Sequence, residues 1–401
     1  MLAPRYARLV ERAPDAALDA PRSADVVVIG GGIIGCAAAA IMADRGARVV
    51  VVEATAIGAG ASGRNLGAVQ HPFDPLLAEL YHESLSRYRA LAEVTDTDFA
   101  IGSAPAGLLL LNRDADAAAA QARRMSTSFP ELAPELLSSD DLQRLEPGLA
   151  AGPSAVRLAT GYPIPPASAT AAWAALAEER GARFVIGARA TPTMDAGRAT
   201  GVTLAAGGSI AAGAVLVAAG PWSPPLVDPS GSWRAVRPTF GVTIQLRLGD
   251  GGPRHVVEED EVDDLNRAAA ATARAAEAGE DADPPSLFSM ASAGGISTLG
   301  STFLPHEPDP ARIQALLLRR AAEFLPAVVE AEIVGRRMCA RPQSVDGRPF
   351  IGPVGGAAGL FVCAGHGPWG ISTGPASAAM VARAVLDGTP PRSELEASRP
   401  V

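Results

Sequence analysis

The chain has 401 residues, enough for two domains or for one large domain interrupted by a smaller one. Apolar residues make up 48 % and charged residues 19 %, which excludes a wholly disordered chain. Acidic side chains outnumber basic ones 43 to 34 for a net charge of −9, which argues against a broad nucleic acid surface. There is no lysine, so any mechanism that needs a catalytic lysine is excluded.

Residues 1–22, MLAPRYARLVERAPDAALDAPR, lack the apolar stretch of a signal peptide and read as an extension ahead of the first strand. No later run reaches the roughly 18 uncharged apolar residues of a membrane span. Ser23–Ile29 predicts a strand, Ile33–Arg45 an alanine-rich helix and Ala47–Glu53 a second strand. Both strands are apolar throughout, as in a parallel sheet buried on both faces. The following loop, ATAIGAGASGRNLGAVQHP, is too glycine-rich for a continuous helix. Pro75–Val94 places Leu76, Leu80, Leu85, Tyr88 and Leu91 on or near one stripe of an amphipathic helix. GLLLL from Gly107 is a strand candidate. SATAAWAALAEERGARFVIGARA repeats the helix-then-strand grammar, and SIAAGAVLVAAGPWS adds another buried strand to the first unit.

Between Val236 and Phe303, the segments RPTFGVTIQLRL, SLFSMAS and GGISTLGSTF alternate as half-exposed antiparallel strands of a second sheet do. The acidic, alanine-rich insertion His255–Pro285 reads as a solvated surface helix or loop. No repeat marks a solenoid. The cysteines Cys36, Cys339 and Cys363 are widely spaced, with no pair suggesting zinc or a redox dithiol, so no metal is expected and a reduced cytoplasmic setting fits.

Gly30, Gly32 and Gly35 satisfy G-x-G-x-x-G. The first permits a tight turn, the second lets backbone N–H groups approach a pyrophosphate, and the third lets helix pack closely on strand. A buried strand precedes the motif, a helix carrying Ile33 and Ile34 follows, and Glu53 ends the next strand where a ribose hydroxyl would bind. Dinucleotide binding follows.

The choice between a visiting nicotinamide and a resident flavin is made elsewhere. Besides the glycine motif, the chain carries the SGRNLG loop, the C-terminal run RPQSVDGRPFIGP, LFVCAGHGPWGIS and TGPASAAMVARAVLDG, and AAGPWS and RPTFG between them. Together, from about Asp25 to Gly388, these resemble the superfamily of FAD flavoenzymes that contains D-amino acid oxidase, glycine oxidase, D-amino acid dehydrogenase and sarcosine oxidase. The resemblance implies a resident FAD. Glu53 and Ala54 would meet the adenosine ribose, and Ser62, Gly63, Arg64, Asn65 and Leu66 would lie along the pyrophosphate and the flavin ring. The backbone of Arg189 and Ala190 would contact adenine, while Ala219, Gly220 and Trp222 end the strand passing beneath the pyrophosphate.

Gly365, His366, Gly367, Trp369, Gly370 and Ile371 lead into a helix capped by Ser372 or Thr373, with Pro375 near its first turn. The N–H groups and dipole of that helix would face the negative charge of reduced flavin. His366 would make an orienting hydrogen bond or serve in proton transfer. By the same resemblance, Arg341 would clamp the substrate carboxylate through two parallel donors, with Trp369 beside it in the active site. Cys339 falls where monomeric sarcosine oxidase bonds its flavin covalently. Its surroundings match the glycine oxidase pattern better, so a non-covalent FAD and a buried structural thiol are expected. Sarcosine oxidases use a lysine for reaction with oxygen, and that route is absent here.

The expected fold is α/β: a discontinuous FAD-binding Rossmann-type domain with an inserted α+β substrate domain built on an antiparallel sheet. Residues 23–95, 151–232 and 335–392 would form the first, and 96–150 and 233–334 the second. The expected reaction is oxidation of the C–N bond of a small or N-substituted amino acid by hydride transfer to flavin N5, giving an imino acid that hydrolyses to an oxo acid. Its partners would be the substrate and oxygen or an electron carrier. Two alternatives are a flavin-dependent hydroxy acid or polyol phosphate dehydrogenase, and a flavin-bearing subunit of a heteromeric complex.

Overall fold

The computed structural model describes residues 20–94, 97–260 and 286–400, so most of the expected N-terminal extension and the acidic insertion beyond residue 260 lie outside the described residues. In chain order the main elements are β1 (Ser23–Ile29), α1 (Ile33–Asp44), β2 (Val49–Glu53), α2 (Pro75–Val94), β3 (Leu108–Asn112), α3 (Ala115–Ser128), β4 (Glu135–Leu137) and β5 (Ser154–Leu158). There follow α4 (Ser168–Glu179), β6 (Arg183–Ile186), β7 (Ala190–Asp195), β8 (Arg198–Leu204), β9 (Ser209–Val217), β10 (Val236–Arg247), β11 (Val256–Glu259) and β12 (Ser286–Ala293). The chain then forms β13 (Ile296–Thr302), α5 (Pro310–Ala322), β14 (Glu332–Ser344), β15 (Phe350–Pro353), β16 (Leu360–Ala364) and α6 (Gly370–Asp387).

The first sheet has the order β15-β16-β9-β1-β2-β6, with β8 on β9 and β7 on β8. Pairs β1–β9, β1–β2, β2–β6 and β9–β16 are parallel. Its central strands β1 and β2 carry no polar face because neither of their faces meets water. Val26, Val28, Val49 and Val51 pack under α1, α2, α4 and α6, whereas Val27, Ile29, Val50 and Val52 pack against Val202 and Ile210 on the other side. Helix α1 is buried almost all round, and its run Ala37–Ala40 lets neighbouring helices approach closely.

The second sheet has the order β14-β10-β13-β12-β11-β3-β5-β4 and is antiparallel except where β11 joins β3. One face buries Leu109, Leu111, Val242 and Ile244 against Ile313 and Leu317 of α5, and the other is turned toward the first sheet. Two expected boundaries fall differently in the strand pairing. Strand β5, placed after residue 150 with the first domain, pairs with β3, and β14, divided by the boundary at 335, pairs with β10 along its length.

The structure overturns the solvated reading of the insertion at its start. His255 and Val256–Glu259 are buried, and β11 is hydrogen-bonded on both sides. Its charge concealed a period of two: Val257 and Glu259 face α5, where Arg320 pairs with Glu259, whereas Val256 and Glu258 share the opposite face with Leu108 and Leu110.

The C-terminal helix also differs from expectation at its start. A 3₁₀ turn, Gly367–Trp369, runs directly into α6, so Trp369 holds the cap position and Ser372 and Thr373 lie inside the helix. Thr373 Oγ1 donates back to the Trp369 carbonyl at 2.8 Å. Pro375 has no N–H for the Ile371 carbonyl, and the hydroxyl of buried Tyr88 donates to that oxygen at 2.7 Å instead. Tyr88→Phe leaves a buried carbonyl unsatisfied and is expected to lower stability by about 1–3 kcal/mol, read as a shift in the urea midpoint with the slope unchanged.

Candidate active site

A cavity of about 1400 Å³ opens where the glycine turn of the first sheet meets the inner face of the second. That exceeds the roughly 300–1000 Å³ of a pocket for a drug-sized ligand, leaving room for a dinucleotide and a second molecule.

The turn after β1 is built around close backbone contact. Gly30 has φ +114°, and a Cβ at Gly35 would lie 1.9 Å from the Gly30 carbonyl oxygen, so α1 begins directly over the strand end. The Glu53 carboxylate accepts from Gly31 N at 2.7 Å and from Thr55 N at 2.8 Å, and Ser62 Oγ accepts from Ile33 N at 3.0 Å. These bonds aim the start of α1 into the cavity, where its free N–H ends and dipole favour an anion.

Gly30, Gly32, Ile33, Ile34, Glu53, Ala54, Ser62, Arg64, Asn65 and Leu66 all line the cavity. So do Arg189, Ala190, Ala219, Gly220, Trp222, Arg341, His366, Gly367, Trp369, Gly370 and Ile371. Gly35, Gly63 and Gly365 do not, and serve packing. A Cβ at Gly63 would meet the Gly58 carbonyl at 2.4 Å, and Gly365 is wedged among Ser344, Val236 and Phe350. Asn65 folds its own loop, donating to Ser62 O at 2.7 Å and accepting from Gly67 N at 2.8 Å.

On the second sheet, β14 and β10 bring Cys339 opposite Gly241, with Arg341 two residues on along the same face. The guanidinium lies over Gly241, where a Cβ would come within 2.4 to 2.5 Å of its atoms. Arg341 Nη1 donates to Thr302 O at 2.7 Å, Nη2 donates to Ser301 Oγ at 3.0 Å, and the group stacks 4.5 Å from the Phe303 ring centre. No carboxylate among the described residues pairs with it. Cys339 lines the cavity, and burial pushes its thiol above the ordinary value against the pull of Arg341, Arg64 and Arg337.

His366 is buried with neither ring nitrogen hydrogen-bonded to protein, so the expected orienting bond is absent among the described residues. A buried, unpartnered imidazole in a cavity headed by a glycine cradle fits a bound cofactor that supplies the missing partner.

Comparison with known proteins decides the family: the DAO family of FAD dependent oxidoreductases matches residues 25–384. This chain belongs to it. It is 29 % identical over 378 residues to the glycine oxidase of Geobacillus kaustophilus, covering 89 % of this chain and 92 % of that one. It is also 29 % identical over 385 residues to the glycine oxidase of Pseudomonas aeruginosa, covering 89 % and 93 %. The crystal structure of glycine oxidase from Bacillus cereus superposes with a TM-score of 0.79 at 24 % identity, covering 94 % of this chain and 99 % of that one. The protein is thus an FAD-dependent oxidoreductase of the amino acid oxidase type, with the mixed α/β fold of the glycine oxidases. No helix among the described residues is long and apolar enough to cross a membrane.

Several cavity residues escaped the sequence reading: Gln70, Phe73, Met125, Phe129, Glu258, Ser289, Ser301 and Phe303. Ser301 and Phe303 fall in the predicted strand segment GGISTLGSTF, but which of its side chains turn inward depends on register. Gln70 and Phe73 carry no pattern, and α3 resembles any amphipathic helix. For Glu258 a signal existed, the alternation in HVVEED.

Burial pushes the His366 imidazole from 6.5 down to about 3, so the ring is neutral in the folded protein near neutral pH. The unfolded chain takes up that proton below 6.5, so stability is expected to fall as pH drops from 6.5 toward 3. His71, lowered to about 4 chiefly by burial, acts in the same direction. Thermal melts across this range should show the midpoint falling with acid, and His366→Asn should flatten part of the slope.

Proposed function

We propose that this enzyme oxidises the C–N bond of a small, carboxylate-bearing amine, with Arg341 as the carboxylate anchor. The observation that carries this reading is a buried-side guanidinium with no acidic partner among the described residues, held in place by Thr302, Ser301, Phe303 and the space above Gly241. Of its five donors, two are used by protein, and the rest can form a paired, charge-assisted contact with a carboxylate.

FAD, once bound, supplies the hydride acceptor at its N5. The glycine turn, Glu53, Ser62 to Leu66 and the start of α6 are the residues that would hold it. We take the FAD as non-covalent, since burial keeps the Cys339 thiol protonated and hence a weak nucleophile. Neutral His366 would orient cofactor or substrate by a single hydrogen bond. No carboxylate and histidine pair is needed as a base if the amine binds uncharged. The imino acid released would hydrolyse to an oxo acid, and oxygen or an electron carrier would take up the electrons. Residues 23–95, 151–232 and 335–392 would form the cofactor domain, apart from the strand segments that pair into the second sheet. The three free cysteines fit a cytoplasmic setting.

Anaerobic titration of the FAD-loaded protein with glycine, sarcosine, D-alanine and D-proline tests the reading. At least one should bleach the flavin band. If only hydroxy acids do so, the amine class is wrong. Arg341→Met is expected to lower kcat/KM by about 100-fold or more, the loss of two charge-assisted hydrogen bonds. Gly241→Ala, which pushes the guanidinium aside, is expected to raise KM about tenfold with a smaller effect on kcat.

A further inference from the structure

The proposed reaction leaves one half-buried guanidinium beside the cavity without a role. Arg337, Cys339 and Arg341 alternate along β14 and so share one face, from which Cys339 and Arg341 line the cavity and Arg337 does not. Arg337 Nη1 donates to the Gly63 carbonyl at 3.1 Å and Nη2 donates to Thr298 Oγ1 at 3.3 Å. In the reverse direction, Arg64 Nη1 donates from the cofactor loop to the Met338 carbonyl of β14 at 3.0 Å. The loop and the strand thus exchange arginines, which sets two like charges side by side.

Among the described residues none of the three arginines pairs with a carboxylate. Glu258 and Glu259 line the same cavity from β11, two strands beyond the β13 residues that Arg337 and Arg341 reach. Burial opposes the charge of Arg337, and so does Arg64. A staple between two segments needs no such charge, because a neutral amide also donates to a carbonyl and a hydroxyl. What a neutral donor lacks is a field. The field of Arg337 reaches the cavity wall: the Cys339 thiol, raised by burial, is pulled back by Arg341, Arg64 and Arg337. Arginine also keeps its charge under desolvation that shifts a lysine readily.

Hydride brings two electrons and one proton to a bound flavin, so the ring is left with one negative charge. In a buried site that charge is screened little by solvent, and a fixed cation nearby stabilises it. We propose that Arg337, with Arg64 beside it, is an electrostatic residue of the flavin site that raises the reduction potential of the bound FAD by stabilising this anion. The inference rests on FAD binding and not on the choice of an amine as substrate.

Two measurements on the FAD-loaded protein need no substrate. Anaerobic equilibration with a reference dye gives the midpoint potential. Titration of the oxidised protein with sulfite gives a Kd for an adduct in which the sulfur lone pair bonds to flavin N5, no group leaves, and the ring gains one negative charge. Arg337→Gln keeps a donor and removes the charge. It is expected to weaken sulfite binding at least about tenfold and to lower the potential by about 30 mV or more, the same factor for a two-electron couple. Thr298→Val removes a hydrogen bond of Arg337 but not its charge, and should leave both quantities close to wild type. If Arg337→Gln fails to retain FAD, Arg64→Gln removes the neighbouring charge and should shift both in the same direction. Wild-type values in the charge-removing variant, or a shift no larger than that of Thr298→Val, overturn the proposal. If the shift is found while no amine bleaches the flavin, the substrate reading is wrong and this inference stands. If an amine bleaches the flavin while the shift is absent, the reverse is true.

Discussion

The carbonyl oxygen of Gly30 occupies the place where a Cβ of residue 35 would be, 1.9 Å away, and most of the functional geometry follows from that contact. It sets the start of α1 directly over the end of β1. Any side chain at position 35 would lift the helix and turn its N–H groups away from the cavity. Glu53, at the end of β2, and Ser62, in the loop beyond, then tie the turn in place through Gly31 and Ile33. The parallel sheet supplies strand ends, the helix supplies a dipole, and three glycines let the two meet.

The second sheet contributes chemistry of a different kind. Its inner face carries a guanidinium with no acidic partner among the described residues at one side, and a carboxylate held by an amide at the other. Burying either charge costs free energy, and neither arrangement is what packing alone would select. Arg341 is kept extended by a backbone carbonyl, a serine, a stacked ring and the space that Gly241 leaves open. Such preorganisation means that a ligand need not spend binding energy on ordering the side chain.

Buried neutral groups complete the site. His366 and the Cys339 thiol are both kept uncharged by desolvation, so the permanent charges of the inner face are those of its arginines and acids. At the C-terminal helix, Tyr88 supplies the Ile371 carbonyl with the donor that Pro375 lacks. That bond ties the first turn of α6 to α2 behind the cavity.

By itself the sequence determined the elements whose patterns are local. The valine runs of β1 and β2, the leucine stripe of α2 and the three glycines at fixed spacing name their structures, because period and steric need are written in neighbouring residues. It also determined the family, since the glycine turn, SGRNLG and GHGPWGIS each carry local motifs. Only tertiary structure decided which side chains meet. That β5 and β14 belong to the second sheet, that Gly241 lies under Arg341, and that Gln70 meets Glu258 across 188 positions depend on strand pairing between distant segments. Glu258 is the clearest case. Composition placed it in a solvated acidic run, and one strand's pairing with β3 and β12 turned it inward, because in a sheet the face of a side chain is set by register and not by its charge.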